Sequence, residues 1–360
     1  MRPWMIAILL SLCCVSIGQC AEPRGVLYIY TWADYFNPDV VKKFERENNC
    51  RVIFSNFSSN EEMLAKIKIG ATGYDLMTPS SYAVKQLRDE GMLQELDHSK
   101  LPNAVKNMDT AFLKQFTEDP EMKHSVPYAQ TFTGVAYRKD LIDPNHLEEI
   151  LEKGSWRVFG EAKLKGKMTM LNDAREAIGA ALKALGYSIN TTDDKQLEEA
   201  YTLLVEWKRN LAKFDVQLSK MALDSGDYFL TQHYNGDILQ LMSEDEEDAI
   251  GFFIPKEGTS VSSDDFVILK DAKNVDLAHK FIDYIQTPEI AFENMNGENG
   301  TCYYQPNLGL KALLDEDTLA DHTLFPPEEI VEKSEVIRDL GADRSKYNKI
   351  WERVQAARVN

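Results

Sequence analysis

Residues 25–49, GVLYIYTWADYFNPDVVKKFERENN, decide the fold. GVLYIY is an apolar run of strand length. Asn37-Pro38-Asp39 then supplies a helix cap, a proline at the first helical position and an early acid, so a helix follows at once. A strand that feeds a helix across one short turn predicts a βα unit whose turn carries Trp32, Asp34 and Tyr35. An acid between two large rings, at the carboxyl end of a strand, suits a cation.

The pattern continues outward. CRVIFSNF (50–57) reads as the next strand, Ser58-Ser59-Asn60 with EEMLAKIKIG as a capped helix, and YDLMTPS (74–80) as a third strand. YAVKQLRDEG (82–91) follows as a helix ended by Gly91. This βαβαβ wiring belongs to a parallel sheet with helical crossovers. A second block of the same kind includes GVAYRKD (134–140), GKMTMLN (166–172), the helix DAREAIGAALKALG (173–186) and the long helix DKQLEEAYTLLVEWKRNLAKF (194–214). Strands are expected near DILQLMS (237–243) and AIGFFIP (249–255). Residues 264–295 read as a strand and a helix that return to the first block. At 360 residues the chain exceeds one ordinary core, and two α/β lobes are expected. In such sheets ligands sit outside the carboxyl ends of strands, and between two lobes that place becomes a shared cleft.

The first twenty residues, MRPWMIAILLSLCCVSIGQC, carry one positive charge and a short apolar stretch, an export signal rather than a membrane span. Ile17-Gly18-Gln19-Cys20 resembles the box read by bacterial lipoprotein signal peptidases, with Gln19 in place of the usual small residue. Cys20 is therefore expected to carry a lipid anchor, in preference to plain cleavage near Ala21. Cys50 and Cys302 would remain, either paired or as two buried thiols. The formal charge is −18, and removing residues 1–19 takes away only Arg2. Such a surface excludes nucleic acid as a natural partner and favours a cationic small ligand.

The sequence has no G-x-S-x-G, H-E-x-x-H, G-x-G-x-x-G or P-loop pattern, and its six histidines never fall at metal-ligand spacing. No enzyme, cofactor or metal is expected. SEDEEDAIG (243–251) lacks an EF-hand's alternating ligands and reads as a solvated acidic loop. In NDARE, Asp173 and Glu176 share one face at a helix start; spacing alone favours a cap over a ligand pair, and the two roles can coexist for Asp173, less easily for Glu176. Trp32, Tyr35, Tyr82, Tyr234 and Tyr303 each lie beside polar residues near a strand end or loop, in TWADY, PSSY, HYNGD and CYYQPN.

With these residues in view, the chain resembles the spermidine/putrescine-binding periplasmic proteins of bacterial polyamine ABC transporters, two-lobed type II receptors. The resemblance runs through YTWADYFNPDVVKKFE, YDLMTPSSYAV, DEGMLQELDHSKLPN, MLNDAREAIGAALKALGYSINTTD, IPKEG and YYQPN. It implies a signal peptide over 1–20, one lobe from 24–131 plus 264–312 and the other from 132–263 plus 313–360. It implies an amine slot with Trp32 and Tyr35 as floor and Asp34 near one end. Ser80 and Tyr82 fall on the family's Pro-Ser-x-Tyr element, and Asp173 and Glu176 on its amine-binding acid pair. Tyr234 stands for a flanking tryptophan, Asp264 for the acid at a terminal amine and Tyr303 for the last ring. Asp34 and Asp237 match carboxylates of the putrescine-specific branch. Ser262 and Ile337 depart from the spermidine branch, so putrescine is expected to bind at least as tightly. The expected partners are a polyamine, the permease subunits and a membrane reached only through the lipid. Rival outputs are a ferric-ion receptor, suggested by Tyr303-Tyr304, and a polyamine sensor for a signalling partner.

Overall fold

The computed structural model describes residues 25–359 apart from 71, 72, 117, 246 and 298, so the export segment and Cys20 lie outside the described residues. Among the described residues the strands are β1 (Gly25–Thr31), β2 (Cys50–Asn56), β3 (Leu76–Met77), β4 (Ser125–Arg138), β5 (Met168–Met170), β6 (Leu211–Phe214), β7 (Leu230–Tyr234), β8 (Ile250–Phe253), β9 (Ser260–Ile268) and β10 (Glu335–Val336). They run in the order β2-β1-β3-β9-β4-β7-β5-β6, with β10 beside β9 and β8 beside β4.

The opening stretch folds as its residues dictate. β1 pairs in parallel with both β2 and β3. Asn37 caps helix Pro38–Asn48 by accepting from the Asp39 N–H at 2.9 Å, Pro38 fills the first turn, and Asn49 ends the helix in the left-handed region. Trp32 to Tyr35 therefore sit at the carboxyl end of a central strand. Asp34 itself takes φ 51°, a conformation that costs a side-chain-bearing residue energy and persists where the surroundings fix it.

Two strands bind the halves of the molecule together. β4 pairs antiparallel with β9 from Ser125 to Phe132, then with β7 and β8 from Thr133 onward. The sheet is thus mixed, because β9 enters antiparallel between β3 and β4. One core gathers Leu27, Ile29, Phe44, Phe266 and Phe281; a second gathers Trp156, Phe159, Ile178, Leu204, Trp207 and Tyr347. Among the described residues no helix is long and apolar enough to cross a membrane, and Cys50 and Cys302 are unpaired thiols.

Three expectations need correction. DILQLMS is not a strand: it lies in helix Asn235–Glu244, and the strand is the preceding Leu230–Tyr234. Ile238 and Leu241, three apart, bury one helical face, while the short apolar run alone could not distinguish helix from strand. The long helix also stops early, at Lys208, and Leu211–Phe214 leaves it to form β6. The returning segment is one strand with two helices, Val275–Ile285 and Pro288–Asn296.

Candidate functional site

Where β4 passes from one half to the other, a cavity of about 420 Å³ opens between them. Trp32, Asp34, Tyr35, Ser80, Tyr82, Asp173, Glu176, Tyr234, Asp237, Asp264 and Tyr303 all line it, as do Ser262 and Ile337. Residues 170 positions and more apart in sequence thus meet on one wall system.

At the centre stands Asp264, on β9 and nearly inaccessible. Ser80 donates to its Oδ1 at 2.6 Å, and the Tyr35 hydroxyl donates to its Oδ2. Ser80 occupies the N-cap position of helix Ser81–Asp89 but makes no cap bond, so its hydroxyl is available to the acid; Asn60 in turn donates to Ser80 at 3.0 Å. Burial pushes the Asp264 carboxyl up to about 6, although the Ser80 and Tyr35 hydrogen bonds pull the other way.

The Asp173–Glu176 question resolves into two different roles. Asp173 is the N-cap of helix Ala174–Ala184, accepting from the N–H groups of Arg175 at 2.8 Å and Glu176 at 3.1 Å. Glu176 makes no cap. Its Oε2 accepts from Ser260 at 2.5 Å, and burial, reinforced by the Asp173 charge, pushes its carboxyl up to about 7. Glu61, exposed overall but turned toward Tyr82, accepts from that hydroxyl at 3.2 Å; burial, with Asp173 beside it, raises it to about 7 as well.

Rings separate the acids. Tyr35 and Tyr303 meet at 4.9 Å between centroids, edge to face. Trp32 ties its indole N–H to the Thr78 carbonyl at 3.0 Å and packs on Phe57 at 4.4 Å, while half-buried at the cavity wall. Tyr303 lies flat against helix Asn235–Glu244 only because residue 236 is glycine: a Cβ there would stand 2.4 Å from the ring. Tyr304 turns away, into a separate cluster with Phe325, so the adjacent tyrosines do not converge on one site.

Sequence reasoning missed several lining residues, among them Thr131, Arg175, Lys220 and His233. His233 Nδ1 stands 3.2 Å from Asp237 Oδ2 and 3.0 Å from the Tyr234 backbone nitrogen. HYNGD places His233 and Asp237 four apart, yet they meet across a strand-to-helix junction that the misread strand concealed. Burial pushes Asp237 up, but the His233 contact, Lys220 and the Tyr303 hydroxyl together bring it below the ordinary carboxylate value. The halves also touch directly: Gln240 donates to the Thr301 carbonyl at 2.7 Å, and Arg344 donates to Gln86. The result is a slot of carboxylates interleaved with rings, chemistry that holds an alkyl cation through charge-assisted hydrogen bonds and cation–π contact.

Known proteins resemble this chain in sequence and in structure. The family model for bacterial extracellular solute-binding proteins matches residues 39–324. The chain is 34% identical over 340 residues to a spermidine/putrescine-binding periplasmic protein of Escherichia coli, covering 94% of each. It is 33% identical over 339 residues to a putrescine/cadaverine-binding protein of Pseudomonas aeruginosa, covering 91% of this chain and 93% of that one. In structure it superposes on a putative spermidine/putrescine ABC transporter protein from Listeria monocytogenes with a TM-score of 0.82 and 33% identity, over 92% of this chain and 99% of the other. With the two-lobed type II architecture and these relatives together, the chain belongs to the bacterial extracellular solute-binding proteins, the family that includes the spermidine/putrescine-binding periplasmic proteins.

Proposed function

We propose that this chain is a non-enzymatic extracytoplasmic receptor for a linear polyamine, binding putrescine at least as tightly as spermidine and passing it to an ABC permease. The observation that carries the reading is the single cavity in which five acids, Asp34, Asp173, Glu176, Asp237 and Asp264, alternate with Trp32, Tyr35, Tyr82, Tyr234 and Tyr303. Burial pushes Asp173, Glu176 and Asp264 up, so each carboxylate gains from an ammonium brought against it. A protonated amine supplies that partner, while the methylene chain lies on the rings. Ser80 positions Asp264; Trp32 and Tyr234 flank the alkyl chain.

The lobes are 24–131 with 264–312, and 132–263 with 313–360. Helices Val275–Ile285 and Pro288–Asn296 contribute to the core that holds β1, and helix Arg344–Ala356 to the core that holds β5, in support of that division. Hinge rotation about the crossing strands would open the cavity and close it over ligand. A lipid on Cys20 tethers the receptor to the membrane. Titration calorimetry of ligand-free protein with putrescine and spermidine at matched salt tests the assignment. One amine per chain is expected; no heat and no affinity for either would refute it, and a clear spermidine preference would refute only the length argument.

A further inference from the structure

The lining of the cavity includes two permanent cations, and they are held differently. Arg175 is locked: its guanidinium donates to the Arg338 carbonyl at 2.9 Å and to Asn190 Oδ1 at 2.8 Å, and it stacks over Tyr347 at 4.7 Å. It is a fixed countercharge behind Asp173 and Glu176. Lys220, on helix Gln217–Asp224, reaches the cavity from the opposite end. Its ammonium donates to Gln240 Oε1 at 2.6 Å, and the same Gln240 amide donates to the Thr301 carbonyl at 2.7 Å and toward the Asp34 carbonyl at 3.5 Å. A lysine is thereby tethered in the same cavity as Asp34, Asp237 and Tyr303, its charge felt at Asp237.

We propose that Lys220 determines specificity, acting as a built-in ammonium that occupies the Asp237 end of the slot and disfavours a ligand with a third positive charge there. The inference rests on the polyamine reading and sharpens it. Tyr35 donates to Asp264 and packs on Tyr303; Tyr234 lies in the field of Glu176, Asp173 and Asp264, and Tyr303 in that of Asp237 and Asp264. On this proposal a diamine lies along Tyr234, with one ammonium at Asp264 and the other at the Asp173–Glu176 pair, in place of the Asp237 contact that the resemblance to the putrescine branch implies. A triamine must carry its next ammonium past Tyr303 to Asp237. That carboxylate already has His233 at 3.2 Å, the Tyr303 hydroxyl and the field of Lys220. Two like charges in a partly desolvated pocket repel far more than in water, so the lysine penalises the longer ligand selectively.

The test compares Lys220→Gln and Lys220→Arg with the parent, by calorimetry with putrescine and spermidine at matched salt. Glutamine can still donate to Gln240, so it removes the charge and keeps the bond. Lys220→Gln should raise the spermidine-to-putrescine affinity ratio on the order of tenfold, the size expected for removing one nearby like charge. Lys220→Arg should keep the parental ratio. Two amines bound with a ratio unchanged in Lys220→Gln, or a ratio that shifts equally in both variants, would overturn the role of Lys220 while leaving the polyamine reading intact. No binding of either amine by the parent and both variants would overturn both.

Discussion

Lowering the pH from about 8 to about 6 should weaken polyamine binding about twenty-fold, on ionisation linkage at two carboxyls of the cavity. Burial, with Asp173 adding to it, pushes Glu176 up to about 7, and burial pushes Asp264 up to about 6. An ammonium placed against each favours the ionised form and returns both toward ordinary carboxylate values. The ligand's own amines, titrating at roughly 10, stay charged across the range. Ligand must then displace protons below neutrality. The displacement costs about tenfold in affinity at Glu176 and about twofold at Asp264 over that interval, together ~1.8 kcal/mol at ~1.4 kcal/mol per tenfold.

Calorimetry at three pH values, repeated in buffers of differing ionisation heat, reads both quantities at once. Near pH 7 about half a proton should leave Glu176 per ligand bound. Glu176→Gln should bind less tightly and lose most of the pH dependence. The ligand-free protein should show the opposite trend. The folded-state value of Glu176 lies above its ordinary 4.5, so its contribution to stability is complete below that and is lost as pH rises through about 7. Ligand should therefore raise the melting temperature most at the alkaline end. An affinity constant within twofold from pH 8 to 6, with no proton release, would refute the reasoning.

Other outcomes follow from the same geometry. Trp32→Ala should cost about 2 kcal/mol or more of ligand affinity through a lost cation–π and stacking wall, and ligand should change tryptophan emission chiefly in the parent; unchanged affinity would make the ring core packing. Gly236→Ala inserts a Cβ 2.4 Å from the Tyr303 ring. The displaced ring should cost about 1–3 kcal/mol in denaturant stability and lower ligand affinity on the order of tenfold, and parental affinity would remove Tyr303 from the binding wall. Cys20→Ser should move the protein from the membrane fraction to the aqueous one, and continued detergent-dependent fractionation would exclude the lipid anchor.

The sequence made some parts of this molecule legible because the chemistry was local. Asn37 and Pro38 announced their helix, and the turn between β1 and that helix had to lie at the carboxyl end of a strand. Acid-x-x-Glu at 173–176 was ambiguous because a helix start can use the same residues for its own N–H groups. Only the partners could separate the two uses. Asp173 spends an oxygen on the cap, and Glu176 meets Ser260, a residue 84 positions away. No pattern in the neighbourhood of NDARE contains that serine.

Where the reading failed, the missing information was also tertiary. ILQLM is apolar enough for a strand or a buried helix, and placing the strand there hid how His233 and Asp237 come together. A carboxylate read from sequence counts as one negative charge available to a ligand. In the folded chain its availability depends on what else reaches it: among the described residues Asp264 has the hydroxyls of Ser80 and Tyr35 as hydrogen-bond donors, whereas Asp237 has an imidazole, a phenol and the field of a lysine. Two acids that look equivalent in a motif therefore differ in what they offer a cation. Among the described residues no cation pairs with Asp264, while Asp237 has part of its need for one met from within the chain. Ligand length in a slot of this kind is set as much by the cations the protein brings as by the carboxylates it displays.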